Sequence, residues 1–244
     1  MEARMRSEDV QANTIVAFDF DGVLVDSYSC LPKIYETIAK EIGIKDVKSF
    51  IRVMLNFEDI MDYFGIWDRR LWFSLILRSP KIRNSDTEKL VSTYWNLRIR
   101  HSIVKSESIE VLKKLNAMKI PTYIVSGSDG IPGMKYRRVV ASGLDKLVRD
   151  VLVYSVYEKV RSLAEALLKI KEKHLAAKVF YVDDKPKNLV EASKVKVNTV
   201  LYKYKPPLPT SYAWKGRKPK STTEIRSLRE ILTILCKKNK YQYF

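Results

Sequence analysis

Cysteine and glutamine are nearly missing from this chain, with two of each among 244 residues. Cys30 and Cys236 do not form a metal-ligand spacing, so a thiolate metal site is excluded and a reduced, cytoplasmic protein is expected. Scarce glutamine beside abundant lysine, arginine and glutamate is the pattern of hyperthermophile proteins and predicts a thermophilic source. Long apolar runs are lacking too. No stretch reaches the roughly 18 uninterrupted apolar residues of a membrane span. The opening segment, MEARMRSEDVQANT, is charged and lacks the apolar segment of a signal peptide. Neither a P-loop nor a G-x-G-x-x-G occurs, and there is no internal repeat, which removes the glycine-rich phosphate cradles of nucleotide-binding folds.

Apolar residues make up 46% of the chain, enough for a well-packed core. The length allows one large domain, or a core domain with a smaller one. Lysine and arginine number 45 against 28 acids, for a net charge of +17. Over residues 200–244, 11 Lys/Arg stand against 2 Glu, a net +9. The segment YKYKPPLPTSYAWKGRKPK sets aromatics among the cations, a composition that suits phosphate neutralisation and base stacking on nucleic acid. It suits a basic surface loop equally well, and that is the favoured reading.

TIVAF (14–18), PTYIV (121–125), DVLVY (150–154), KVFYV (178–182) and NTVLY (198–202) read as buried strands. Helical patterns lie between them, near 106–118, 134–142, 160–168 and 187–194, with a last helix over about 223–236. This alternation predicts an α/β fold with a parallel sheet covered on both faces. Residues 28–104 break the rhythm: their apolar spacing predicts consecutive helices with no convincing strand. They divide the chain into a core of 1–27 and 105–244 and a helical insert of 28–104.

Parallel sheets bind ligands at the carboxyl ends of their strands. Asp19 and Asp21 follow the first strand, Ser126-Gly127-Ser128 the second, and Asp183-Asp184 the fourth. Four carboxylates at one rim cannot all stay ionised without a cation. A hard divalent ion with oxygen ligands, Mg2+, is the natural solution. An EF-hand calcium loop is excluded, because Val23 and Cys30 occupy its fifth and twelfth positions.

These segments resemble the haloacid dehalogenase superfamily of phosphohydrolases, and the resemblance covers nearly the whole chain. Its four motifs occur in order: DFDGVLVDS, the Ser of YIVSGS, a Lys before a helix, and YVDDKPKNLVEA; EIRSLREILTIL resembles the closing helix. The resemblance implies a Rossmann-like core with the insert as a helical cap. It makes Asp19 the nucleophile, forming an aspartyl-phosphate. Asp21 becomes general acid and base, its backbone carbonyl also on the metal. Ser126 and Gly127 hold the phosphate, and Lys159 balances the charges of phosphate and Asp19. Asp183 and Asp184 bind Mg2+ with Asp19 and Asp21, and Asn188 supports them from behind. Dehalogenases and phosphonate-cleaving relatives generally lack an acid at the position of Asp21, so phosphoryl transfer is the expected chemistry. Arg52 and Asn56 are candidates for substrate contact.

The expected function is a Mg2+-dependent phosphatase acting on a small phosphorylated metabolite such as phosphoglycolate or a sugar phosphate. Two alternatives stay open. A phosphomutase uses the same motifs, and the basic C-terminal segment could serve nucleic-acid binding or a phosphatase acting on nucleic-acid ends.

Overall fold

The computed structural model describes residues 14–76, 84–174, 178–208 and 211–240. The opening segment 1–13 and position 77 of the helical pattern lie outside them. Six strands form one sheet: β1 (Thr14–Phe18), β4 (Thr122–Gly127), β5 (Asp150–Tyr154), β6 (Lys178–Asp183), β7 (Asn198–Tyr202) and β8 (Thr223–Ile225). Their spatial order is β5-β4-β1-β6-β7-β8, and every neighbouring pair is parallel. Val16 of β1 stands opposite Thr122 on one side and Phe180 on the other. The chain winds outward from β1 in one direction, then returns and winds outward in the other. The reversal leaves a crevice at the carboxyl ends of β1 and β6, where such sheets bind ligands.

Alternation along β1 explains why it is apolar throughout. Val16 and Phe18 face helices α5 (Ser106–Ala117), α6 (Met134–Ser142) and α9 (Glu230–Lys240), packing with Leu112, Val139 and Ile231. Ile15 and Ala17 face α7 (Leu163–Lys173) and α8 (Pro186–Ser193), packing with Leu167, Ile170 and Leu189. A central strand covered on both sides has no face left for polar residues.

Between β1 and β4 the chain forms α1 (Leu31–Glu41), α2 (Val47–Phe64), α3 (Arg69–Ile76) and α4 (Asn84–His101). They close around a second core of Ile34, Tyr35, Met54, Phe73, Tyr94 and Trp95. Helix α2 begins at Asp46, whose carboxylate accepts the Ser49 N–H at 3.1 Å, and stops at Gly65 in the left-handed conformation. Among the described residues no helix is long and apolar enough to cross a membrane.

Two expectations need correction. Ile103–Val104 (β3) is a strand after all. It pairs antiparallel with Val25–Asp26 (β2) and ties together the two chain segments that enter and leave the insert. Two residues are too short for any periodicity to show. The last helix does not begin near 223: Thr223–Ile225 forms the edge strand β8, and the helix starts at Glu230. The Glu230 carboxylate accepts the N–H groups of Arg226 and Ser227, both at 2.8 Å, and so sets that start.

Candidate active site

Asp19 leaves β1 with its N–H still bonded to the Val182 carbonyl of β6 at 2.9 Å. That bond places its carboxylate beside Asp183 and Asp184 at the end of β6. One oxygen from each of the three lies within 4.8 Å of the others, and all three residues are buried. Burial and the neighbouring Asp183 push the Asp19 carboxyl up to about 8, against the pull of Lys185. Burial likewise holds Asp184 well above the usual carboxylate range, and Asp183 is raised more modestly.

The three acids are not equally occupied. Asp183 accepts from Tyr181 Oη at 2.5 Å, Asn188 Nδ2 at 2.9 Å and the Lys185 N–H at 2.7 Å. Asp184 Oδ2 accepts from Trp214 Nε1 at 2.7 Å, while its Oδ1 is buried with no partner. An unpartnered buried carboxylate oxygen is costly. A hard divalent cation on Asp184 and Asp19, with Asp183 beside them, would remove that cost, so this donor set fits Mg2+. Gly22 makes room for the arrangement. Its φ is +82°, and an added Cβ would lie 2.0 Å from Asp184 Oδ2.

Asp21 stands apart from that triad. Its carboxylate accepts Ser27 Oγ at 2.5 Å and Arg138 Nη1 at 3.0 Å, and also meets Lys135 Nζ and Arg138 Nη2. Asp129 bridges the same two cations, 2.9 Å from Lys135 and 3.0 Å from Arg138. Lys135 and Arg138 are three apart on α6 and so share one face. Burial pushes the Asp21 carboxyl up, but Arg138 and Lys135 prevail and hold it well below the usual range. Asp21 is therefore an ionised acceptor in this arrangement.

Ser126, near the end of β4, is buried and lines a cavity of about 70 Å³ with Asp19, Asp21, Lys135 and Lys185. Gly127 lines it too, but what packs over Gly127 is the insert's Trp67. An added Cβ there would lie 3.0 Å from Trp67 Cη2. The insert also contributes Arg69 and Arg98, both bound at 2.7 Å to Glu58 Oε1. Lys185 Nζ reaches across to Asp62 Oδ2 on α2 at 2.5 Å and to the Tyr28 hydroxyl at 3.1 Å.

Sequence reasoning placed Asp19, Asp21, Ser126, Gly127, Asp183 and Asp184 at one rim, where they lie, with Asn188 on α8 donating to Asp183. Lys159 is not among them. It is exposed and lines a separate surface cavity with Tyr136 and Val151. The turn after β5, closed by Ser155 N–H on the Val160 carbonyl at 3.0 Å, carries it outward. The lysines at the acids are Lys135 and Lys185. Lys185 follows Asp184 directly, an adjacency that could have flagged it; Lys135, Arg138 and Trp214 carried no sequence signal. Arg52 is exposed, and neither it nor Asn56 lines the acid cavity.

Three aromatics of the basic segment turn inward, while Tyr212 is exposed. Tyr202 donates to Glu107 at 2.9 Å, Tyr204 to Asp26 at 2.9 Å, and Trp214 to Asp184. They are committed to the protein's own carboxylates, while Lys205, Lys215 and Arg217 are exposed.

Residues 14–194 match the haloacid dehalogenase-like hydrolase family, and the chain belongs to that family. No curated protein matches the sequence. Among solved structures, YfnB of Bacillus subtilis, described as a HAD-hydrolase bound to magnesium, is similar with a TM-score of 0.66 at 18% identity, over 91% of this chain and 98% of its own. A protein of Thermotoga maritima described as a β-phosphoglucomutase gives 0.65 at 15% identity, over 92% and 99%. A predicted phosphoglycolate phosphatase of Haemophilus somnus gives 0.61 at 14% identity, over 91% and 98%. At these identities the likeness is one of fold.

Proposed function

We propose that this hydrolase is a magnesium-dependent phosphatase that acts on small phosphate monoesters through an aspartyl-phosphate at Asp19. The observation that carries the reading is the convergence of three buried carboxylates, Asp19, Asp183 and Asp184, with Asp184 Oδ1 left unpartnered. A magnesium ion held by Asp19, Asp184 and the Asp21 carbonyl, with Asp183 beside it, would supply the positive charge that lets a phosphate dianion approach a carboxylate.

The protein's own groups then divide the work. The Asp19 carboxylate forms a bond to phosphorus as the ester P–O bond breaks, and the leaving alcohol takes its proton from Asp21, which must first gain that proton against the pull of Lys135 and Arg138 as the substrate binds. Asp21, now ionised, takes a proton from water. The water oxygen bonds to phosphorus, the Asp19–phosphorus bond breaks, and inorganic phosphate leaves with both aspartates restored. The pairing of Asp21 with Lys135 and Arg138 favours the ionised form that the water step uses. Ser126 holds a phosphate oxygen. Lys185 takes the charge-balancing role that the resemblance assigned to Lys159, since it opposes the upward push on Asp19 more strongly than Lys135 does. The helical insert acts as a cap whose Trp67, Arg69 and Arg98 wall the cavity and exclude water.

The test is phosphate release from an aryl phosphate, with and without Mg2+, by wild type and Asp19→Asn. The expected result is metal-dependent turnover that the substitution abolishes. Turnover that survives Asp19→Asn would remove Asp19 as the nucleophile, and none from wild type on a panel of monoesters would remove the phosphatase reading.

A further inference from the structure

The acid cavity has no room for a sizeable organic group beyond the phosphate. It measures about 70 Å³, whereas pockets that hold small organic ligands measure roughly 300–1,000 Å³. A cleft of about 660 Å³ lies next to it, and Trp67, Ser128 and Tyr154 line both. Trp67 is the partition. Its ring packs over Gly127, one residue from Ser126, and its Nε1 donates to Asp62 Oδ1 at 3.2 Å. Asp62 is the same residue that grips Lys185.

The far wall of the cleft is mainly apolar. The insert supplies Ile66 and Leu71, and the loop after β5 supplies Val156 and Tyr157. Leu71, Val156 and Tyr157 are 42%, 67% and 87% exposed, which is apolar surface held open rather than packed away. Arg161, Asp68 and Glu191 also line the cleft, one cation against two acids, so it offers no cationic surplus to an anionic occupant.

We propose that this cleft receives the organic group of the substrate, that the group is apolar and aromatic in character, and that Trp67 decides what passes between the two spaces. The inference rests on the phosphatase reading, which places the phosphate at Asp19. The path is short: Ser128 and Tyr154 border the phosphate on one side and the cleft on the other. An ester of an uncharged aromatic alcohol fills both spaces, and an ester of a two-carbon alcohol fills only the first.

The experiment compares 2-phenylethyl phosphate with ethyl phosphate by calorimetric binding, with magnesium present, on Asp19→Asn protein that leaves both esters intact. The phenylethyl ester is expected to bind at least tenfold more tightly. Val156→Arg and Leu71→Arg, at exposed positions that tolerate substitution, are each expected to erase that preference. Equal affinities, absence of binding included, overturn the proposal, as does a preference that survives both arginines. Phosphate release from the two esters by wild type reports on the other reading. Turnover with equal affinities refutes the cleft and keeps the phosphatase, and a cleft-dependent preference without turnover does the reverse.

Discussion

Lys185 Nζ, one residue past Asp184 in the rim of the sheet, lies 2.5 Å from Asp62 Oδ2 on helix α2 of the insert. The two side chains are only 14% and 15% exposed. This pair is a charged contact between the carboxylate rim and the insert. Asp62→Asn leaves the ammonium with the Tyr28 hydroxyl and the Trp214 ring, so the cost should fall below the roughly 3–5 kcal/mol of breaking a fully buried pair. A loss of about 2 kcal/mol in urea-unfolding stability is expected. An unchanged midpoint and slope would show that the contact contributes nothing in solution.

Glu58 has the opposite character, being completely enclosed. Its carboxylate meets Arg69, Arg98, Tyr94 and Tyr35. Burial pushes Glu58 up, but Arg69 and Arg98 outweigh it and hold the group below its ordinary 4.5. An acid depressed in the folded state contributes stability that is present above that ordinary value and is lost as pH falls through the folded one. Glu58→Gln leaves two guanidinium groups facing each other, at a cost of about 3–5 kcal/mol near neutrality. The difference between wild type and variant should shrink as unfolding is repeated from pH 6 down to pH 2. A gap that stays constant across that range would contradict the assignment.

Trp214 touches a proposed metal ligand from behind. Its Nε1 donates to Asp184 Oδ2 and leaves Oδ1 without a partner. Partners of this kind are worth roughly 10–100-fold in metal affinity. Trp214→Phe keeps the ring and removes the donor, so half-maximal activity should need about tenfold or more magnesium, with little change in the rate at saturation. An unaltered magnesium titration would leave the indole with a packing role alone.

Lys185 and Lys159 can be weighed against each other directly. Lys185 acts on Asp19 across the cavity, and Lys159 stands exposed at another surface. Lys185→Met should lower kcat/KM at least about a hundredfold more than Lys159→Met, the scale of losing one charge-stabilising group. The reverse order, read from steady-state phosphate release, would return the role to Lys159 and require the loop after β5 to fold inward.

Much of this architecture was legible because parallel strands buried on both faces must be apolar throughout. TIVAF, DVLVY and NTVLY were located to the residue. The same rule makes a carboxylate at such a strand's end conspicuous, so Asp19, Asp21, Asp183 and Asp184 could be found with no structure. The two-residue strands at the base of the insert and the short edge strand at Thr223 left no periodicity to read.

Local pattern and strand-end placement therefore gave, from the sequence alone, the parallel α/β fold and the cluster of acids at its rim, and the four motifs carried the family resemblance. The tertiary structure decided which cations meet those acids. Lys159 is near the motif spacing along the chain but faces away, while Arg138, 117 positions from Asp21 in sequence, donates to its carboxylate. Charge partners are chosen by distance through space, and a helix brings its buried face to a strand end whatever the separation along the chain. The contrast between Asp183, with both oxygens bonded, and Asp184, with its Oδ1 unpartnered, was likewise decided in three dimensions, by the Tyr181 hydroxyl, the Asn188 amide and the Trp214 indole.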